Sequence, residues 1–381
     1  MPDGSFEITS LQYLNMKTTF INACLLALVS GSCAQAQTVP TIRIPQSSVP
    51  FLTYVPDARS AGMGATGVAS TPDANASYWN VSKLAFIEQD FGASVSYVPW
   101  LSNLVDDMWL GYASAYYKLP KGQAITASFG YFNDGDLVMS GSPRSDFSVS
   151  AGYARQLGRN FSMGITLKYI SSELAGYGYI TPGVYKTGKT VAADISAFYK
   201  KEVFSETNGR SLGYTVGAVL SNFGDKISYG SAFGDGYLPT TFKLGGGLSF
   251  APNDRNRISF VLDASKLLVP YSPNPVNVNS QPFLTSIYKS FSDAPGGLSE
   301  ELQEVTISVG AEYLYKSRFA LRGGYFGENK NKGDRKFFTA GAGVRFLKHY
   351  SADASYDIPL KKDSPFKGTK RITISMDLAK N

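Results

Sequence analysis

Phe338-Thr339-Ala340-Gly341-Ala342-Gly343-Val344-Arg345-Phe346 puts Phe338, Ala340, Ala342, Val344 and Phe346 on one face and Thr339, Gly341, Gly343 and Arg345 on the other. A repeat of two is the signature of a β-strand with one apolar and one polar face. The pattern recurs in Phe147-Val149-Ala151-Tyr153, Val191-Ala193-Ile195-Ala197-Tyr199, Val305-Ile307-Val309-Ala311-Tyr313 and Ile372-Ile374-Met376-Leu378. Fourteen such segments can be counted, at 91–100, 109–119, 123–132, 146–157, 161–172, 191–200, 212–223, 240–250, 257–268, 305–316, 319–327, 338–348, 350–360 and 371–378. Most are longer than the five or six residues of a typical globular strand. They approach the 9–11 that a tilted strand needs to cross a bilayer.

The connections alternate in length. Short ones at 120–122, 158–160, 251–256, 317–318 and around His349 separate long ones at 133–145, 173–190, 224–239, 269–304 and 328–337. Outer-membrane barrels have short periplasmic turns, long external loops and an even strand number. The sequence therefore predicts an all-β fold, a 14-stranded antiparallel transmembrane β-barrel over 91–381. The connection 201–211 is the exception, being about eleven residues where a turn is expected. A secreted two-sheet sandwich also alternates, but predicts neither the strand length nor the loop rhythm. Trp100, Trp109, Tyr116, Tyr117, Tyr169, Tyr199 and Tyr229 near segment ends suit aromatic girdles, although aromatics favour strands in any context.

Composition agrees. The chain has 381 residues, 17% charged against roughly 25% in soluble domains, with 24 Tyr, 24 Phe and 38 Gly. Disorder, coiled coil and helical bundles are disfavoured. Lys and Arg number 36 against 30 Asp and Glu, a modest excess spread along the sequence without the basic run of a nucleic-acid binder.

Residues 1–36 read as an export signal. A basic region at Met16-Lys17 precedes an apolar stretch from Phe20 to Val29, and Ala34-Gln35-Ala36 fits cleavage before Gln37. Residues 1–15 look like a misassigned upstream start. An uncleaved anchor, or Cys33 as a lipid-modified terminus, are the competing readings; Ser30-Gly31-Ser32 lacks the large apolar residue the latter requires. Both cysteines, Cys24 and Cys33, lie within this signal, so the mature chain has neither disulfide nor thiol chemistry.

Residues 37–90 form an N-terminal extension that does not alternate. Small residues dominate Ser60 to Ala69, which lets backbones approach closely, and Asp73, Asn75 and Asn80 suit caps and turns. The segment reads as a hatch folded into the lumen, paired with inward Asp194, Asp263, Glu312, Arg322, Arg345 and Asp353; a periplasmic tail is the alternative. Its text, V-P-D-A-R-x-x-G-M-G-x-x-G-V-A-x-x-P-D-A-N-x-x-x-W-N from Val55 to Asn80, resembles the hatch of the PorV/PorQ family. Val98-Pro99-Trp100-Leu101 and Leu104-Val105-Asp106-Asp107 resemble the PorV branch. The family is distantly similar to FadL-type channels, with Asn80-Val81-Ser82 where those carry Asn-Pro-Ala, and Asn381 departs from the aromatic residue often found last in outer-membrane proteins.

The resemblance implies a type IX secretion component in the outer membrane of a Gram-negative bacterium of the Bacteroidota. It implies that the protein takes secreted cargo bearing a C-terminal signal domain from a large translocon. It passes that cargo to a sortase complex that attaches it to lipopolysaccharide. Carried onto this sequence, the hatch comprises Pro56, Asp57, Arg59, Gly62, Met63, Gly64, Asp73, Asn75, Trp79 and Asn80. Cargo can meet only the external loops, where Trp100, Leu101, Tyr177, Tyr179, Tyr185, Tyr271, Phe283, Leu284, Tyr288 and Phe291 supply interface aromatics and aliphatics. The 269–304 loop is long enough to be functional, as a binding surface or as a lid. The expected partners are cargo, translocon, sortase complex, and outer-membrane lipid and lipopolysaccharide, with no nucleic acid.

Enzymatic readings find little support. His349 is the single histidine and falls in a short turn, so a Ser–His deacylase is disfavoured. Asn133-Asp134-Gly135-Asp136 lacks the twelve-residue calcium pattern, and Gly245-Gly246-Gly247 lies mid-strand without a phosphate-loop Lys, so no metal or cofactor is expected. A FadL-like channel for hydrophobic small molecules is the alternative function. It requires an apolar path, which the polar inward face does not favour.

Overall fold

The computed structural model describes residues 45–105, 107–135, 144–173, 186–205, 210–230, 235–270, 281–361, 364 and 366–378. The expected signal at 1–36 lies outside them. Fourteen strands close an up-and-down antiparallel barrel. They are β1 Phe91–Pro99, β2 Trp109–Leu119, β3 Gln123–Asn133, β4 Ser145–Gln156, β5 Phe161–Ser172, β6 Gly188–Ser205, β7 Arg210–Gly224, β8 Thr241–Asn253, β9 Asn256–Leu267, β10 Val305–Tyr315, β11 Phe319–Gly327, β12 Lys336–Phe346, β13 Tyr350–Pro359 and β14 Lys370–Leu378. Each pairs with its sequence neighbours, and β1 closes on β14 with Phe91 opposite Leu378 and Tyr97 opposite Ile372. Closure removes the edges that an open sheet would expose.

The burial pattern is that of a globular protein turned inside out. Val95, Leu167 and Leu321 are 62%, 63% and 64% exposed on the outer face, whereas inward Ser94 and Thr373 are 2% and 1% exposed. Water would penalise that outer face; a lipid bilayer solvates it. Of the aromatics expected in a girdle, Tyr117 and Tyr169 do face outward, but Tyr116, Trp100 and Tyr229 are buried inside.

The irregular 201–211 connection resolves into strand. β6 and β7 pair out to Ser205–Arg210, leaving four residues between them. Lys200-Lys201-Glu202 breaks the apolar alternation, while the hydrogen-bond ladder continues and Val203, opposite Leu212, is again exposed beyond the charges. Asp194 sits at a bulge in the β6–β7 pairing, which aims its carboxylate at the backbone N–H of Asn222, 2.7 Å away.

Residues 45–90 precede β1 as short helical pieces. These are a 3₁₀ turn Pro50–Thr53, α1 Ala58–Gly62, α2 Ala76–Trp79 and a 3₁₀ helix Val81–Phe86. Asp57 caps α1 by accepting from Ser60 N–H at 2.7 Å, and Asn80 caps the second 3₁₀ helix by accepting from Ser82 N–H at 3.1 Å. Asp73 accepts from Asn75 N–H in a local turn. The segment bonds to β1 and β2 through Asn75, Ser77 and Ala74, to β5 and β6 through Ser82 and Asn80, to β9 and β10 through Gly67 and Arg59, and to β12 and β14 through Gly64 and Ala58. A segment that reaches strands all round a closed ring lies within it.

The outer loops carry α3 Phe283–Lys289 and α4 Leu298–Gln303, both in the connection between β9 and β10.

Candidate functional site

Arg59 organises the lumen. Its guanidinium forks onto both Glu312 oxygens at 3.1 and 2.9 Å, and also donates to Asp73 at 2.7 Å and to Thr71 Oγ1 at 2.6 Å. Glu312 accepts in turn from Arg322 at 2.7 Å, and Arg322 donates to Asp353 at 2.6 Å. The result is a row of alternating charge, Asp73–Arg59–Glu312–Arg322–Asp353, that ties the N-terminal segment to β10, β11 and β13. Burial works against the charged Arg59, but Glu312 and Asp73 outweigh it and hold the guanidinium well above its ordinary pKa. Arg371 of β14 donates to the Val55 carbonyl at 2.9 Å, and both its bonds to Asp357 are 2.9 Å.

A second tie forms opposite. Asp263 accepts from the backbone N–H groups of Gly67 and Val68 at 2.7 and 2.9 Å. Lys83 donates from the same region to Gly67 O at 2.6 Å and Ser70 Oγ at 3.0 Å. Burial lowers the Lys83 pKa to about 8. Asp57 is buried beneath Trp79, whose Nε1–H donates to it at 2.7 Å; desolvation, then the nearby Asp73 charge, raise its pKa.

Glycine makes this packing possible. Gly64 has φ +71°, and a Cβ there would stand 2.6 Å from Tyr325 N, Tyr325 O and Val309 O. A Cβ on Gly62 would reach 3.0 Å from the Cα of Gly341 in β12. Gly245 and Gly247 of β8 clear room for Val68 and Ala69, so the two inward members of the glycine triplet serve close packing.

The expected inward residues thus divide. Asp263 and Glu312 bond the segment directly, and Arg322 and Asp353 do so through Glu312. Asp194 instead pairs with Lys168 at 2.7 Å and Arg345 with Asp377 at 3.2 Å, both within the barrel. Of the hatch candidates, Pro56, Asp57, Arg59, Gly62, Met63, Gly64, Asp73, Asn75, Trp79 and Asn80 all fall in the luminal segment. Gly67, already part of the small-residue motif, joins them with Thr71 and Lys83, which carry no local sequence signal because their partners become neighbours only on folding.

The segment reaches the long-loop end of the barrel. Ser48 N–H donates to Tyr237 O at 2.8 Å, and Val49, Phe51 and Leu52 pack in one apolar cluster with Trp100, Phe132, Tyr229 and Leu238. Tyr54 stacks on Trp100 with centroids 4.0 Å apart, and burial pushes its pKa up to about 12. Trp100 is therefore enclosed by Tyr54 and by Phe366, and Leu101 packs at the margin of the same cluster. A cavity of about 30 Å³ lies below, against Phe51, Tyr54, Tyr78 and Tyr112. At the short-turn end a polar vestibule of about 500 Å³ opens beneath Arg59 and Asp73.

The β9–β10 loop is pinned on one side and bare on the other. Lys266 bonds Glu301 at 2.7 Å and Glu304 at 2.5 Å, and Lys332 bonds Glu300 and Glu304 at 2.8 Å. Ser286 donates to Tyr237 Oη at 2.8 Å, and Phe283 packs edge-on against Phe223. Leu284, Tyr288 and Phe291, spaced four and three residues apart, share the opposite face, with Tyr288 81% exposed. Tyr177, Tyr179, Tyr185 and Tyr271 lie outside the described residues. His349 sits in the turn between β12 and β13 with Nδ1 3.0 Å from Asp377 O. Asp134 pairs with Arg144 at 2.7 Å.

An inside-out, closed, 14-stranded barrel with long loops at one end defines a transmembrane β-barrel of the outer-membrane class. Residues 36–274, more than half of the chain, match the family described as type IX secretion system protein PorV, and the chain belongs to that family. Its architecture and family are of transport type, and the protein is an outer-membrane protein. No curated protein matches the sequence significantly. Among solved structures, the chain is similar to the P. putida toluene transporter TodX, at 11% identity and TM-score 0.49 over 86% of this chain and 99% of that one. It is similar also to the CymD monoaromatic hydrocarbon channel, at 12% identity and TM-score 0.48 over 85% and 98%. The Ralstonia pickettii toluene transporter TbuX gives 13% identity and TM-score 0.44 over 85% and 98%.

Proposed function

We propose that this barrel captures the C-terminal signal domain of exported proteins on its outer loops. It then carries them within the outer membrane of a Bacteroidota cell from the secretion translocon to a surface sortase complex, which transfers them to lipopolysaccharide. The observation that carries this reading is the apolar stripe of Leu284, Tyr288 and Phe291, on an element held from its other side by Ser286 on Tyr237 and Phe283 on Phe223. A rigid, aromatic, externally placed surface loses little entropy on binding a folded domain. The luminal segment supports the same reading, because it leaves the lumen occupied while the loops stay free.

The alternative, uptake of apolar small molecules, needs an apolar passage. The cavity near Phe51 and Tyr54 holds about 30 Å³, room for a water, whereas a cavity that takes benzene is roughly 150 Å³. Elsewhere the inward face carries many Ser, Thr, Asp, Glu and Arg, and its buried aromatics, such as Tyr116 and Phe198, pack against the luminal segment.

The test is recovery of partners from native outer membranes in mild detergent, comparing the tagged wild type with Leu284→Ser/Tyr288→Ser/Phe291→Ser. Enrichment of secreted proteins sharing a C-terminal β-domain, lost at least tenfold in the variant with barrel abundance unchanged, supports the proposal. Equal recovery by both proteins, or bound fatty acid with no protein partner, refutes it.

A further inference from the structure

The modest cationic excess is scattered in sequence but gathered in space. The six short turns with their flanking residues, 118–123, 155–161, 200–211, 254–257, 315–319 and 345–350, hold thirteen Lys and Arg against Glu202, Glu206 and Asp254. Every turn carries at least two cations. Glu88, Asp90 and Asp377 add three acids where the chain enters and leaves the barrel. The seven long loops, counted with two strand residues on either side, hold fifteen acids and fifteen bases.

Eleven of the thirteen cations, all but Lys118 and Arg210, form two sets. Lys200, Arg255, Arg257, Arg318 and Arg345 line the vestibule among acids. Lys121, Arg155, Arg159, Lys201, Lys316 and Lys348 are exposed. Strand alternation sets two of these on the lipid face: Arg155 pairs with exposed Met163, and Lys201 with exposed Tyr214. Lys316 lies 5.3 Å from the Tyr315 ring centroid, Arg159 is two residues from exposed Phe161, and Lys348 is two from exposed Phe346 and Tyr350. Aromatics of this kind mark the membrane interface, so the cations one step beyond them sit at headgroup level. Lys121, Lys316 and Lys348 also adopt left-handed backbone, with φ 62°, 52° and 64°. Asn or Gly would occupy those turn positions with less strain, yet each holds a cation.

We propose that these outward cations form a collar that binds the phosphates of anionic phospholipids in the inner leaflet of the outer membrane. The distribution selects lipid over a protein partner. A docked protein covers one sector of a barrel, whereas exposed cations stand on all six turns, Arg255 included; only the surrounding bilayer meets them all. The collar fixes the depth and orientation of the barrel, and keeps its opposite, charge-balanced end toward the surface. Each cation near an anionic surface is worth about fivefold in partitioning.

The experiment compares retention of phosphatidylglycerol and phosphatidylcholine by the full mature protein, using native mass spectrometry after release from nanodiscs of equal parts of each. The collar variant is Lys121→Gln, Arg155→Gln, Arg159→Gln, Lys201→Gln, Lys316→Gln and Lys348→Gln. The control removes exposed cations at the other end, Lys289→Gln, Lys330→Gln and Lys367→Gln. Heat-modifiable migration on gels verifies that each barrel is folded. The wild type and control should prefer phosphatidylglycerol, and the collar variant should lose at least tenfold of that preference. No preference in the wild type, an unchanged preference in the collar variant, or an equal loss in the control overturns the proposal. Release of an acidic periplasmic protein from the collar variant, with lipid preference unchanged, assigns the cations to a protein instead and likewise overturns it.

Discussion

Arg59→Met should loosen the luminal segment while leaving the barrel closed. The side chain is 14% exposed and its partner Glu312 3% exposed, so the pair is shielded from water. Removing one member of a buried pair costs about 3–5 kcal/mol. Glu312 keeps Arg322 at 2.7 Å, and Asp73, at 26% exposure, can rehydrate from the vestibule. The expected loss is therefore at the lower limit, about 3 kcal/mol, which raises the population of a displaced segment roughly a hundredfold. Single-channel recording in planar bilayers reads that population directly, because a displaced segment opens the lumen to ions. Limited proteolysis of residues 50–87 provides a second readout. In the double variant Arg59→Met/Glu312→Gln the stranded carboxylate is gone. The combined effect should fall short of the sum by about 2 kcal/mol. Unchanged open probability and protease resistance in Arg59→Met would refute the reasoning, as would strict additivity in the double variant.

Two further outcomes follow from the same packing. Gly64→Ala forces a Cβ to 2.6 Å from backbone atoms of β10 and β11 at a left-handed φ, and should destabilise the segment by about 2–5 kcal/mol; ion leakage equal to wild type would contradict it. Lys83, with its pKa lowered to about 8 from 10.5, gives a pH dependence of definite sign. Between these values the unfolded chain still holds the proton that the folded chain has released. Stability from this group therefore rises with pH, by about 2 kcal/mol from pH 8 to 9.5. Urea unfolding in detergent should show that rise in the wild type relative to Lys83→Met, and parallel pH curves for the two proteins would count against it.

The barrel was legible because lipid and lumen impose opposite demands on alternate residues. The sequence-based limits of β2, β5 and β11 coincide with the observed ones, since Trp109–Leu119, Phe161–Ser172 and Phe319–Gly327 each end at a turn that stops the alternation. At β6 the strand runs on to Ser205, past the sequence-based limit at Lys200, because the charges of Lys200-Lys201-Glu202 interrupt the alternation without breaking the hydrogen-bond ladder. The small residues of the luminal segment were equally visible. Its partners were not: Arg59 and Glu312 are 253 positions apart, and no local pattern marks such a pair. Trp100 shows the limit from the other side. Its loop position suggests an exposed surface, yet Tyr54 covers it, because residues 45–54 rise to the outer mouth. Leu284, Tyr288 and Phe291 stand out in the sequence as loop hydrophobics, but the shared outward placement of Leu284 and Tyr288 depends on α3, and Phe291 follows two residues after its end.

Photocrosslinking from position 288 in living cells tests the capture of cargo most directly. A benzophenone amino acid in place of Tyr288 should crosslink to secreted proteins through their C-terminal β-domains, while the same probe in place of Leu321, on the lipid face, should not. Crosslinks to lipid alone from position 288, or identical protein adducts from both positions, would contradict the account.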